Sequence, residues 1–213
     1  MNLALIGATG MVGSRLLAEA LNRGHHVTAI VRDPGKLSPR NALTIVKGDA
    51  TDAAALTSLL KGREVVVGAY NAERGSATYR ESVLKAYDAI LRATKSAGVK
   101  RLIVVGGAGS LEVAPGKRLV DTPNFPPEFK AEAQVFADVL DTLRNETALD
   151  WTVVCPAPYF SPGERTGNFR LGGDQLLTDA KGESKLSAED FAIALMDEVE
   201  KPKHVRRRFS VAY

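Results

Sequence analysis

The chain has 213 residues and a mass of 22.8 kDa, 45% hydrophobic and 25% charged, which is long and apolar enough for a stable core and excludes a stapled mini-protein or a disordered segment. Its 28 lysines and arginines against 25 aspartates and glutamates leave a formal charge of +3, a weak field with acids and bases intermixed, so no nucleic-acid partner is expected despite a pI near 9.0. The single cysteine excludes an internal disulfide, no apolar run approaches the ~18 residues of a membrane span, and Met1-Asn2-Leu3-Ala4-Leu5-Ile6 lacks the basic flank of a signal peptide; a cytoplasmic protein with no membrane partner is expected.

Short Val- and Ile-rich runs recur along the chain: Leu3–Ile6, His26–Val31, Leu43–Lys47, Glu64–Gly68, Arg101–Val105, Trp151–Cys155 and Arg208–Val211. They are nearly continuous rather than alternating, as in strands covered by helices on both faces, and so predict a parallel sheet of about seven strands. Between the first two runs, Val12, Leu16, Leu17, Ala20 and Leu21 fall at helical spacing before an Arg23-Gly24 stop. Arg80–Ala97 repeats the arrangement and closes with Lys95 and Gly98. A third helix is expected to start near Pro126-Pro127-Glu128 and run to Leu143, and a last one from the capping box Ser187-Ala188-Glu189-Asp190.

The alternation predicts one α/β domain over 1–213, a doubly wound Rossmann-type sheet. Ser161–Lys185, rich in Gly, Asp and Thr without periodicity, is expected to form a small substrate-side lobe at about 161–185, where Arg165 and Arg170 are candidates to receive an anionic group or are simply solvated.

Gly7-Ala8-Thr9-Gly10-Met11-Val12-Gly13 follows the first strand and opens the first helix. In such a turn Gly7 permits the tight bend, Gly10 lets backbone amides approach a pyrophosphate, and Gly13 brings the helix close to the sheet; Thr9, Met11 and Val12 complete the cradle. The helix N-terminus then offers partial positive charge to phosphates, which predicts dinucleotide binding. Cofactor choice turns on the end of the second strand. Arg32 stands there, with a planar fork suited to the 2′-phosphate of NADP, and Lys36 could assist. The reading favours NADP; NAD is the alternative, with Arg32 stacked or solvated and Asp33 on a ribose. Asp49, after the third strand, could accept from the adenine amino group or be a plain turn residue.

Together with Val31-Arg32-Asp33, Gly48-Asp49, Arg101–Ser110 and Val153–Pro158, the turn resembles the atypical short-chain dehydrogenase/reductases, in the NmrA-like and biliverdin-IX-beta-reductase-like branch that includes NADH-flavin reductases. The resemblance implies that Gly106, Gly107, Ser110, Pro156 and Tyr159 border the nicotinamide and substrate. The departure is the missing Tyr-x-x-x-Lys dyad: none of Tyr70, Tyr79, Tyr87, Tyr159 and Tyr213 has a lysine four residues on, and Lys130 follows Pro126 at that spacing. The implied activity is an NAD(P)H-dependent reductase passing hydride to a small-molecule acceptor, flavin-, quinone- or tetrapyrrole-like, that needs no dyad. The alternatives are a non-enzymatic NADP(H)-sensing regulator or an epimerase/dehydratase-like protein.

Three residues are catalytic candidates, each with a bland alternative. Ser110 could donate to a substrate carbonyl or cap a turn, Lys130 could hold the nicotinamide ribose or be solvated, and Tyr159 could contact substrate or pack as a lid. Cys155 is expected to be an inert strand thiol. His25 and His26 are expected at the surface, His204 in a basic tail, and Arg206-Arg207-Arg208 as a solvated strand end. No set of histidines, cysteines and carboxylates has ligand spacing, so no metal is expected.

Overall fold

The computed structural model describes residues 1–213. In chain order the elements are β1 (Asn2–Ile6), α1 (Met11–Asn22), β2 (His26–Val31), β3 (Leu43–Lys47), α2 (Ala53–Leu60), β4 (Val65–Gly68), α3 (Tyr79–Ser96) and β5 (Arg101–Val105). They continue with β6 (Glu112–Ala114), β7 (Lys117–Arg118), α4 (Pro127–Arg144), β8 (Asp150–Pro156), β9 (Tyr159–Ser161), β10 (Arg170–Gly172), β11 (Lys185–Ser187), α5 (Ala188–Glu200) and β12 (Arg207–Ala212).

Eight strands form the central sheet in the order β10-β12-β8-β5-β4-β1-β2-β3, with β1 parallel to β2 and β4, β2 to β3, β4 to β5 and β8 to β12, and with β10 antiparallel to β12. The reversal of order at β1 and β4 is the switch point of a doubly wound fold, and the Rossmann-type architecture expected from the sequence is present. The eighth strand, β10, is the addition: it lies in the segment expected to be irregular, and its three residues are too few to display a period.

Two compact units can be distinguished by their internal packing, Met1–Val104 with Thr147–Trp151, and Val105–Glu146 with Thr152–Tyr213. In the first, β1, β2 and β4 are apolar and buried along nearly their whole length, as parallel strands between helices must be. Helix α1 ends where expected, with Gly24 at φ +77° after Arg23, and α3 ends likewise at Gly98, also at φ +77°. His25 departs from its expected surface position: it is buried, its Nδ1 3.3 Å from the Met1 amino group, because the turn after Gly24 folds it under the chain start. His26 is exposed.

In the second unit, α4 begins at Pro127 and α5 is capped by Ser187, whose Oγ accepts from the Asp190 N–H at 3.0 Å. In the C-terminal basic run Arg206 and Arg207 are exposed, as expected, and Arg208 is not. Arg208 is buried on β12, with Nε donating to Asp174 Oδ1 at 2.6 Å and a second nitrogen to the Ser110 carbonyl. His204 is likewise anchored: its Nδ1 lies 2.7 Å from Glu198 Oε2 and its ring stacks on Phe209. Residues 208–212 of β12 are buried without interruption, and only an ion-paired arginine can occupy residue 208 there.

Candidate functional site

In the first unit the sequence Gly7–Gly13 forms the turn from β1 into α1. Gly7 has φ +92°, a conformation that favours glycine, and a Cβ there would overlap the Ala69 carbonyl. A Cβ at Gly13 would strike the Gly7 carbonyl, so this glycine is demanded by helix–strand packing. Gly10 is different: a Cβ there would meet only the Gly7 oxygen at 3.4 Å. No packing in the protein requires a glycine at 10, which stands as the N-cap of α1. Thr9, Gly10 and Met11 are exposed and Val12 is half-buried on this turn.

Arg32 follows the second strand, exposed, and Asp49 and Tyr70 lie within its electrostatic reach. Hydrogen bonds from the Thr51 N–H at 2.8 Å and hydroxyl at 2.9 Å, with the charges of Arg32 and Lys85, outweigh burial and hold the Asp49 carboxyl below the usual aspartate range. Burial raises the Tyr70 phenol despite Arg32. Asp33 spends Oδ1 on the Gly35 N–H at 3.0 Å, capping the short turn Pro34–Lys36, while Lys36 is exposed at its end. Arg32 and Asp33 are both exposed, with one Asp33 oxygen committed to this turn. Tyr70 carried no motif in the sequence; its place follows from β4 ending at Gly68 beside β1.

In the second unit the chain leaves β5 through Gly106, Gly107 and the 3-10 turn Ala108–Ser110. Gly106 is required by packing, since a Cβ would come within 2.6 Å of Val153 Cγ1, and Gly109 abuts Ala133; Gly107 would tolerate a Cβ at 3.5 Å. Ser110 is 3% exposed and donates to the Gly107 carbonyl at 3.2 Å, the turn-capping arrangement. Cys155 is fully buried 3.9 Å from Ser110 Oγ, and burial pushes its thiol up to about 11, so it is the inert strand thiol expected. Pro156 is buried at the end of β8, while Lys130 is exposed in the first turn of α4.

Tyr159, just past β8, is 68% exposed on the small parallel sheet of β9 and β11. It borders a cleft of about 490 Å³ whose walls include Ser161, Glu164, Lys185, Ser187 and Tyr213. Beneath it, Asp190 accepts from the Thr166 N–H at 2.8 Å, the Thr166 hydroxyl at 2.6 Å, the Gly167 N–H at 2.8 Å and the Tyr213 hydroxyl at 2.9 Å. Burial opposes ionisation of this carboxyl, yet the four donors outweigh it and hold it below the aspartate range. Arg170, a candidate anion receptor, instead donates to the carbonyls of Thr178 and Tyr213. Of this group the sequence marks Asp190 only through its capping box, and Tyr213 not at all.

A glycine turn entering the first helix from the first strand of a doubly wound parallel sheet defines a nucleotide-binding protein of the Rossmann class. The chain belongs to the NAD(P)H-binding family, whose pattern spans residues 7–202. It is 40% identical over 215 residues to YwnB, an uncharacterized protein of Bacillus subtilis, covering 99% of this chain and 98% of that one. Among solved structures it resembles a Streptococcus pneumoniae protein named as a candidate NADH-flavin reductase, with TM-score 0.89 and 40% identity over 100% of this chain and 99% of that one. It also resembles a candidate epimerase of Bacteroides thetaiotaomicron, with TM-score 0.93 and 41% identity over 100% of this chain and 96% of that one. These relations agree with the atypical short-chain dehydrogenase/reductase resemblance.

Proposed function

We propose that the protein is an NADPH-dependent oxidoreductase that delivers hydride to a planar conjugated acceptor, flavin-, quinone- or tetrapyrrole-like, with no Tyr-x-x-x-Lys dyad. The observation that carries this reading is the fate of the phenols. Tyr87 is buried and donates to the carbonyls of Gly68 and Tyr70, Tyr79 donates to Asn71, and Tyr213 to Asp190; no tyrosine is followed by lysine at the dyad spacing. Chemistry that removes a proton from an alcohol through such a pair is poorly served. A bound dihydronicotinamide supplies two electrons and a hydrogen as hydride to the acceptor ring, which takes one proton from solvent, so reduction of a conjugated ring is well served.

The chain's own part is binding and orientation. In this reading Gly10 and the N–H groups at the start of α1 hold the pyrophosphate, with Thr9, Met11 and Val12 shaping the cradle. Arg32, supported by Lys36, selects the 2′-phosphate, Asp49 receives the adenine amino group, and Gly106, Gly107 and Pro156 border the nicotinamide. Lys130 and Tyr159 are positioning groups around ribose and ring, with no proton transfer assigned to them, and Ser110 acts through the turn by holding the Gly107 carbonyl. The supporting relative is the Streptococcus pneumoniae protein named for NADH-flavin reductase. The test is a screen of NADPH oxidation against FMN, FAD and small quinones. Oxidation that saturates with acceptor supports the reading, and tight NADPH binding without turnover across the screen replaces it with the non-enzymatic sensor.

A further inference from the structure

The small sheet of β9 and β11 has two unlike faces. The registered pairs are Tyr159 with Lys185, Phe160 with Leu186 and Ser161 with Ser187, and parallel partners point to the same side. The middle pair faces inward: Leu186 is buried, and Phe160 meets Phe191 edge-on with ring centroids 5.2 Å apart. Both outer pairs line the 490 Å³ cleft, which is shallow and open to solvent.

One wall of that cleft is fixed. The Tyr213 hydroxyl donates to Asp190 at 2.9 Å and accepts from the Ser187 N–H at 3.2 Å, and the Tyr213 N–H donates to the Lys185 carbonyl at 3.0 Å. The other aromatic, Tyr159, stands largely exposed, leaving apolar ring surface in water that a stacked ring would cover. The charges are balanced against an anion. Lys185, the one cation on the lining, is already 2.6 Å from Glu183, and Glu164 borders the same space.

Resting on the reductase reading, we infer that this cleft takes the acceptor as an uncharged planar ring, stacked on Tyr159 with its edge oxygens toward Ser161 and the Lys185 ammonium. A phosphate or carboxylate on the ligand would meet an ammonium already paired and a carboxylate beside it, and would gain little. The ring of a quinone, or the isoalloxazine of a flavin without help from its phosphate, is the class that fits.

The test is amide-resolved NMR of the full chain, with and without saturating NADP⁺, titrated with uncharged menadione and with anionic 1,4-naphthoquinone-2-sulfonate. Menadione should shift the amides of Tyr159, Ser161, Lys185 and Ser187, and bind at least as tightly as the sulfonate. Tyr159→Ala should weaken menadione about tenfold, the scale of an aromatic stack, while Tyr159→Phe keeps it within about threefold. Absence of shifts at these amides, indifference to Tyr159→Ala, or a sulfonate bound tenfold more tightly overturns the inference. Shifts at the cleft without NADPH oxidation by any acceptor remove the reductase reading and leave the ring site standing. Oxidation without those shifts does the reverse.

Discussion

The Tyr213 hydroxyl donates to Asp190 at 2.9 Å, so a buried carboxylate at the start of α5 holds the aromatic ring at the end of the last strand. Because Asp190 also accepts from the backbone of Thr166 and Gly167, one side chain ties a helix, a loop and a strand end around the cleft.

This arrangement sets an acid limit on stability. The Asp190 carboxyl is held below its ordinary value of 3.8, so its stabilisation is complete above that value and is lost as pH falls through the lower native one. Asp190→Asn should cost about 3 kcal/mol at neutral pH, the scale of charged hydrogen bonds lost together, and flatten the acid limb of stability. Urea melts from pH 2 to 7 check it, and an unchanged acid limb would show that Asp190 is not its source.

Arg208 is the second buried charge on which the unit depends. Arg208→Ala leaves the Ser110 carbonyl without its donor, and should destabilise by about 3 kcal/mol, at the low end for a broken buried pair because Asp174 is half exposed. Removing Asp174 as well should cost little more. Additive losses in the double mutant would mean the two residues do not act as a pair.

Three glycines of one turn should respond in two ways. Gly7→Ala and Gly13→Ala collide with backbone and should each lower stability by about 1–3 kcal/mol, seen as a fall of several degrees in Tm. Gly10→Val should cost less stability than either and abolish nucleotide binding, because its Cβ meets no backbone closer than 3.4 Å and, in the proposed reading, its side chain occupies the pyrophosphate seat. NADPH fluorescence titrations beside thermal melts separate the two effects.

Cofactor preference should follow Arg32. Arg32→Ala should weaken NADPH by about 10- to 100-fold, the loss of a charge-assisted hydrogen bond, and move NADH by less than about threefold. Equal binding of both nucleotides to the unmodified protein would assign the ribose to Asp33.

Much of the fold is legible in the residues because long buried strands and capped helices announce themselves locally: the continuous apolar runs of β1, β2 and β4, the Arg23-Gly24 stop and the Ser187 cap each carry their own physical cause. The nucleotide turn is legible for the same reason, since its glycine requirements lie within seven consecutive residues. The second unit is not, because its determinants are partners far apart in sequence. Arg208 reads as one more basic residue until Asp174 and the Ser110 carbonyl are brought to it. Strand β10 has only three residues, and Tyr213 gains its position from Asp190. In the sequence, too, Ser110 is a candidate donor to substrate or a turn cap; in the fold its hydroxyl donates to the Gly107 carbonyl.

The most direct test of the central claim is hydride transfer from NADPH carrying deuterium at either face of C4, with menadione as acceptor. The account predicts oxidation that saturates with menadione, loss of deuterium from one face only, and a primary isotope effect confined to that isotopomer. NADPH that binds tightly but is not oxidised, or is oxidised equally from both faces, would contradict it.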